Sequence, residues 1–445
     1  MHKTRVGIRK EDKNTWERRA PLSPNDVHYL STEEGLSFFV QSSTNRVFKD
    51  EEYTGAGAEV VEDLSGCGLV FAIKEIPISV LKENVTYVFF SHTIKGQSHN
   101  MPMLKRIMDL GATLIDYEKV VDEHGKRFIF FGEYAGLAGM VDTLWAFGQR
   151  LKWEGIGSPF AALRQAFRYD SLDLAAEDIS NVGEHIETKG LDPILAPLVI
   201  GVTGYGNVSR GAQRLLTYLP VTEIDPSEIA TIFKSPDRSR KTIYLAVFRE
   251  EHTVRPALGR GKFNLKDYYD HPEKYRSQFQ KYVPYLSILV NCIYWDKRYP
   301  RLITRKELRE LYETEKNPRL RVIGDISCDI DGAIEFTVKA TDPERPVFVY
   351  DPLSGIISDG VEGRGPVVMA IDNLPCELPR ESSNNFSHVL KRFVPSIAFA
   401  DFSRNFEDLE LPPEIKRALI VYKGSLTSGY AYLEEHLKNH ERIPK

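Results

Sequence analysis

Several stretches near the start of the chain set ionisable side chains at the ends of apolar runs, an arrangement suited to proton transfer and anion binding. Lys74-Glu75 closes the run LVFAI at 69–73, and His92 closes YVFF at 87–90, with Lys95 and Gln97 just beyond it. Glu118 follows TLID at 113–116, and Arg127 opens the next apolar run. Upstream, ERRAPLSP at 17–24 sets Arg19 just before a helix start at Ser23-Pro24, a cap residue followed by the proline favoured at a first helical position. A lysine at an apolar strand end can have a lowered pKa and act as a base, and histidine titrates near neutrality unaided. Arginine is the natural fork for a substrate carboxylate. Each residue alone reads first as a solvated strand end, or as an ordinary ion pair such as Lys74–Glu75. Their convergence at successive strand ends, where parallel α/β sheets place ligands, points to chemistry.

A second constellation follows a buried apolar run. Gly204-Tyr205-Gly206-Asn207-Val208-Ser209-Arg210-Gly211 joins that run to a helix. The first glycine allows a tight turn, the second lets backbone amides approach a pyrophosphate, and the helix N-terminus adds partial positive charge. The spacing is GxGxxxxG rather than GxGxxG, and a plain glycine turn is the alternative, but strand, glycines and helix stand in the right order. Gly204, Gly206, Asn207 and Val208 are therefore candidate dinucleotide contacts. The residue that meets the adenosine ribose should close the next strand, about 20 residues on, where Glu223 and Asp225 fall. An acid there favours NAD. Arg210, Lys234, Arg238 and Arg240 could instead line a 2′-phosphate site, so the residues leave the choice open.

GDISCDIDG at 324–332 ends a further strand in a carboxylate cluster. It lacks the ligand spacing and terminal glutamate of a calcium loop, so no metal is expected, and Asp329 is placed near a nicotinamide. Cys328, beside these acids, reads as packing rather than nucleophile.

The elements that must hold these residues alternate. Strand-like runs at 4–9, 36–40, 69–73, 87–90 and 113–116 are interleaved with helices, among them 99–110. FIFFGEYAGLAGM at 128–140 reads as a strand entering a long helix, and another helix spans 172–190. Strand candidates resume after the glycine loop at 221–225, 243–248, 286–291 and 321–326, with a Tyr- and charge-rich excursion over 250–285. VFVYD at 347–351 and a proline-rich connector lead into terminal helices. The expected architecture is α/β: two Rossmann-like domains with parallel sheets and an active-site cleft between them. The first domain, 1–135 plus 341–445, would be interrupted by the second at 136–340.

Composition narrows the classes further. The chain has 445 residues, 58 Lys+Arg against 63 Asp+Glu, and a formal charge of −5, which supplies no basic field for nucleic acid. No apolar run of about 18 residues suggests a membrane span. The 4 cysteines are far apart, with no metal-ligand spacing, and read as reduced, mostly buried thiols. Neither a signal nor a transit pattern is seen at the N-terminus, so a cytoplasmic setting is expected.

The order of these blocks resembles the alanine dehydrogenase/saccharopine dehydrogenase group. It resembles most closely the lysine–ketoglutarate reductase half of bifunctional aminoadipic semialdehyde synthase. The carrying blocks are WERRAPLSP, IKEIP, FFSHTIKGQ, LIDYEKVVD, FGEYAGLAGM, GYGNVSRGAQ, IYWDKRYPRLIT, DISCDIDGAIEF and IDNLPCELPRESS, spread over 16–383. The resemblance implies reductive condensation of L-lysine with 2-oxoglutarate to saccharopine, or its reverse, with a nicotinamide cofactor. NADP is favoured because the bifunctional enzymes prefer it, although the single-function lysine-forming enzymes use NAD. By the same resemblance Lys74 is the acid/base of imine formation and His92 handles the carbinolamine proton. Arg19, Lys95 and Arg127 would bind substrate anions, Glu75 and Glu118 would tune the catalytic pair, and Asp329 would lie beside the cofactor. Neither nucleic acid nor membrane is implied as a partner; a homo-oligomer is left open. Another amino-acid or opine dehydrogenase, or a non-catalytic nucleotide-binding subunit, are the rival readings.

Overall fold

A computed structural model describes residues 5–235, 238–258 and 261–441. The chain divides into two compact units, Met1–Phe131 with Pro379–Lys445, and Gly132–Leu378. Among the described residues no helix is long and apolar enough to cross a membrane.

The first unit is built on an eight-stranded sheet. From one edge its strands are Ser425–Leu426, Leu419–Tyr422, Thr113–Asp116, Thr86–Phe89, Leu69–Phe71, Arg5–Ile8, Ser37–Gln41 and Glu59–Val61. From Thr113–Asp116 to Glu59–Val61 every pairing is parallel. The central strands LVF, TYVF and TLID are buried at every position, as expected of strands covered on both faces. Parallel register brings their carboxyl ends to one edge, with Phe71 opposite Val88 and Phe89 opposite Asp116. The strand expected at 4–9 spans Arg5–Ile8; Thr4 lies outside the described residues.

Two expectations for this unit need correction. Residues 128–131 form no strand: Phe128 and Phe131 instead spend their alternation on Phe393 and Phe386, with ring centroids 6.1 and 4.8 Å apart. The terminal segment is also not purely helical. Leu419–Tyr422 adds an antiparallel strand beside Thr113–Asp116 and turns into Ser425–Leu426. Lys423 and Gly424 make that turn at φ 48° and 80°, the paired positive φ of a tight hairpin.

The second unit has its own eight-stranded sheet, ordered Ile357–Asp359, Val347–Tyr350, Val367–Met369, Val322–Asp325, Ile288–Asn291, Leu198–Thr203, Ile243–Phe248 and Val221–Ile224. All pairings from Val367–Met369 onward are parallel. The chain leaves this unit at 378 rather than 340 because Val347–Tyr350 pairs antiparallel with Val367–Met369, which in turn extends Val322–Asp325.

Helix Gly132–Trp153 packs across this sheet, with Leu137, Met140, Val141, Leu144 and Phe147 all 0% exposed. It crosses helix Asn207–Leu216 backbone to backbone. A Cβ on Gly136 would lie 1.9 Å from the Val208 carbonyl oxygen, and one on Gly211 would lie 2.1 Å from that of Glu133. The last glycine of the loop motif is thus a helix-packing glycine, placed where the crossing needs it. Farther along the same helix, Asp142 accepts from Ala166 N at 2.8 Å and meets the buried Glu377. Burial, then the Asp142 charge, raises the Glu377 carboxyl well above its ordinary range and favours its protonated form.

Gly211→Ala should cost about 1–3 kcal/mol, since the atoms its Cβ would meet are all backbone atoms of Glu133. In thermal unfolding that is a Tm loss of roughly 2–4 °C per kcal/mol for a unit this size. The raised Glu377 carboxyl makes its stabilisation greatest below the ordinary carboxyl range and lost as pH rises through the folded value. Melting curves of Glu377→Gln against pH should therefore show a shallower decline on the alkaline side than the unsubstituted protein.

Candidate functional site

The carboxyl edge of the first sheet gathers the ionisable residues. Lys74 lies just past Leu69–Phe71, half-buried, and its backbone is clamped by a residue the sequence reading missed. Glu11, 7% exposed, accepts from Ile73 N at 2.7 Å and from Lys74 N at 3.0 Å. Burial, then the Glu17 charge, raises the Glu11 carboxyl to about 7, against the pull of those two amides. The Lys74 ammonium is lowered, first by burial and then by the Arg19 charge, while Glu17 and Glu75 oppose the shift. A lysine so placed is more readily neutral, and so a better proton acceptor, than one on the surface.

His92 sits one strand over. Its Nδ1 is 2.7 Å from Glu75 Oε1, and Glu75 Oε2 accepts from Lys13 Nζ at 2.9 Å. Burial alone would raise Glu75, but the hydrogen bonds from His92 and Lys13 outweigh it and bring the carboxyl down to about 2. An ionised Glu75 is an acceptor, so Nδ1 carries the proton of this bond and Nε2 is the ring nitrogen outside it. The residue is held in the left-handed region at φ 50°, a conformation unfavourable outside glycine, with Asn100 Nδ2 donating to its carbonyl at 3.1 Å. The buried Asp116 ties down the preceding residue, accepting from Ser91 N at 3.0 Å and from the Ser91 hydroxyl, and also accepts from Glu118 N at 2.8 Å. Burial raises its carboxyl to about 6.

The expected anion-binding residues are placed less uniformly. Arg19 is 2% exposed and its fork grips Glu17, Nε to Oε1 at 2.7 Å and Nη2 to Oε2 at 2.5 Å. It also stacks 4.2 Å from the Phe131 ring. Phe131 packs on Phe386, and Phe386 on Phe90, which stacks under His92 at 6.2 Å and 12°. One aromatic cluster therefore supports Arg19 and His92. Arg127 pairs with Glu118 through Nη2, so the expected anion contact and its acidic neighbour hold each other. Lys95 is exposed in the turn beyond His92.

In the second unit, Leu198–Thr203 is buried throughout and delivers Gly204 at φ 85°, where a Cβ would meet Ile293 Cγ2 at 3.0 Å. Gly206 caps helix Asn207–Leu216 with no side chain on the helix donors, no acid in the first turn, and open space where a Cβ would stand. Asn207 and Val208 begin that helix, half-buried. Free amides, positive dipole and room for a close approach fit a pyrophosphate. A cavity of about 350 Å³ opens beside the loop, lined by Tyr205, Arg249, Glu250, Tyr269, Tyr294 and Trp295 among others.

The strand order differs from the one behind the ribose expectation. The strand after the loop helix, Val221–Ile224, is the outermost, and Ile243–Phe248 takes the place beside the glycine strand. Glu223 and Asp225 line a groove with Arg210 and Arg249, but Asp225 accepts from Ser227 N at 2.8 Å and from its hydroxyl, capping the next turn. Arg240 donates to the Leu191 carbonyl at 2.6 Å before Ile243–Phe248 begins, at the end of the sheet away from the loop. Arg238 donates to the Phe233 carbonyl in the same connection as Lys234. IYLAVF reads as a strand in the sequence and is one, but its place beside the glycine strand carries no local mark.

Asp329 is half-buried in the turn after Val322–Asp325, between Cys328 and Asp331 at φ 52° and 49°. Cys328 donates to the Ala370 carbonyl at 3.0 Å, and burial, then Asp325, pushes its thiol up. Asp325, raised to about 6 by burial, accepts from Thr337 and Asn291, and Thr203 donates to Asn291 at 2.9 Å. The four cysteines are all free thiols, and among the described residues no cluster of His, Cys, Asp or Glu is arranged to hold a metal.

The depressed Glu75 carboxyl has a defined signature. Its stabilisation is present above the ordinary 4.5 and is lost as pH falls toward about 2. Denaturant unfolding of Glu75→Gln should show a deficit of about 2 kcal/mol at neutral pH, after discounting for partial exposure, that closes between those limits.

The chain is similar in sequence and fold to known proteins. The family model for the alanine dehydrogenase/PNT N-terminal domain matches residues 7–138. The chain is 40% identical over 449 residues to an alpha-aminoadipic semialdehyde synthase of Arabidopsis thaliana, an alignment covering 98% of this chain and 42% of that protein. It thus spans less than half the length of that relative. A saccharopine dehydrogenase [NAD(+), L-lysine-forming] of Neurospora crassa is 27% identical over 409 residues, covering 89% of this chain and 91% of the relative. Among solved structures, an L-alanine dehydrogenase superposes with a TM-score of 0.62 at 16% identity, over 98% of this chain and all of that one, and shares the fold. The chain is thus homologous to alpha-aminoadipic semialdehyde synthases and to saccharopine dehydrogenases, and its first part matches the alanine dehydrogenase/PNT N-terminal domain.

Proposed function

We propose that the chain is a nicotinamide-dependent oxidoreductase that joins L-lysine to 2-oxoglutarate reductively, forming saccharopine, or runs the same reaction in reverse. The observation that carries the reading is the linked strand end of Lys74 and Glu75, whose carboxylate holds His92 Nδ1 at 2.7 Å. The names of the homologues, which include L-lysine-forming saccharopine dehydrogenases, support the substrate pair.

The chemistry asks for two proton handlers. The lysine ε-amine must lose a proton to attack the oxoacid carbonyl, and Lys74, lowered by burial, suits the acceptor. The carbinolamine oxygen must then gain a proton and leave as water, a donation suited to Nε2 of His92 in its doubly protonated form, with the Glu75 carboxylate holding Nδ1 and balancing the charge. Once the carbon–nitrogen double bond forms, the bound nicotinamide supplies the hydride that reduces it. Gly204, Gly206, Asn207 and Val208 would hold the pyrophosphate, with Asp329 and the 223–225 segment as further cofactor contacts. Lys95, Arg127 and Arg19 would provide the positive field for a product with three carboxylates. Arg127 must then exchange Glu118, and Arg19 must share Glu17, with substrate. In the reading, Glu118 and Glu75 set the field around the pair rather than move protons themselves.

The test is the fall in reduced-nicotinamide absorbance on mixing lysine and 2-oxoglutarate. The chain should turn over, and Lys74→Met and His92→Gln should each lose about 10²–10⁴-fold in kcat while still binding cofactor. Full activity in either variant overturns its role. Faster turnover with pyruvate and ammonia replaces the substrate pair with that of an alanine-type dehydrogenase, and cofactor binding without any turnover leaves a nucleotide-binding subunit.

A further inference from the structure

We infer that Arg249 is the residue that selects a 2′-phosphorylated dinucleotide, an inference that rests on dinucleotide binding at the Gly204–Val208 loop. In a doubly wound sheet the ribose next to the adenine is met by the residue closing the strand beside the glycine strand. That strand is Ile243–Phe248: Thr203 is in register with Phe248, and Gly204 N donates to the Phe248 carbonyl at 2.9 Å. The next residue is Arg249. An acid in this position accepts from both ribose hydroxyls and repels a phosphate; a guanidinium does the reverse.

The surroundings agree with the position. Arg249 is exposed and borders both the 350 Å³ cavity and the outer groove that holds Arg210. Its guanidinium lies 5.3 Å over the Tyr205 ring, which orients a planar cation toward the loop mouth. On the other side of the glycine strand, Ile288–Asn291 leads into Tyr294 and Trp295 of the same cavity, an aromatic wall suited to adenine. The nearby acids are partly engaged elsewhere. Glu250 accepts from Tyr269 at 2.5 Å and from Tyr205 at 3.3 Å, and Asp225 caps the turn at Ser227. Glu223 and Glu251 share the outer groove and oppose the two arginines, so the preference rests on Arg249 standing nearest the ribose position. Lys234, Arg238 and Arg240 are excluded by their place before the strand.

Fluorescence titration measures the dissociation constants of NADPH and NADH directly, without turnover. Arg249 is exposed, so Arg249→Ala should melt with the unsubstituted protein. The chain should bind NADPH at least tenfold more tightly than NADH. Arg249→Ala should weaken NADPH by about 10- to 100-fold and NADH by less than about twofold, with Arg249→Lys between. Adenosine 2′-monophosphate should compete with NADPH on the unsubstituted chain and lose that ability in Arg249→Ala. Equal weakening of both cofactors, or an NADH preference in the unsubstituted chain, overturns the assignment of Arg249 and leaves dinucleotide binding standing. Binding of neither cofactor overturns the loop reading as well.

Discussion

Both sheets depend on one arrangement: buried polar side chains, at or just past the carboxyl ends of parallel strands, that capture backbone or neighbouring strands. Such ends run out of ladder partners while still under cover, and an unpaired buried amide is costly. In the first unit Glu11 takes the amides of Ile73 and Lys74, and Asp116 takes that of Ser91. In the second, Thr203, Asn291, Asp325 and Thr337 form a chain of hydrogen bonds across three parallel strands. The carboxyls pay for this placement with raised pKa values near neutrality, about 7 for Glu11 and about 6 for Asp116 and Asp325. In return Lys74, His92 and the glycine loop leave their strands at fixed angles.

The proposed acid/base pair follows from that fixing. Lys74 and Glu75 point from one strand end because Glu11 holds the turn, and Glu75 reaches His92 because Asp116 and Asn100 hold the neighbouring turn in a left-handed conformation. The aromatic cluster of Phe90, Phe131 and Phe386 continues the support to Arg19, drawing residues from both chain segments of the first unit. Glu17 keeps the Arg19 charge compensated in a place where a lone guanidinium would be expensive to bury.

Much of this was legible in the sequence. Apolar runs ending in Lys74, His92 and Glu118 are strands ending at one edge, because parallel register and burial on both faces leave that pattern little other reading. The glycine loop was legible for the same reason. Glu11 was not, because its role comes from a strand three places on in sequence order that pairs beside its own only in the sheet, and a lone acid after RVGIRK carries no local mark. The ribose expectation rested on spacing along the chain, which cannot reveal that Val221–Ile224 pairs outside Ile243–Phe248. The unusual GxGxxxxG spacing acquired its reason only when Gly211 met the backbone of helix Gly132–Trp153. The extent of the second unit was underestimated because VFVY reads as a strand of either sheet; only its antiparallel partner decides.

The most direct test of the account is the identity of the product. The chain is incubated with lysine carrying an isotope-labelled ε-nitrogen, 2-oxoglutarate and reduced cofactor, and the product is weighed by mass spectrometry. The account predicts a single secondary amine that contains both carbon skeletons and retains the label. Labelled glutamate, or cofactor oxidation with no coupled product, would contradict it.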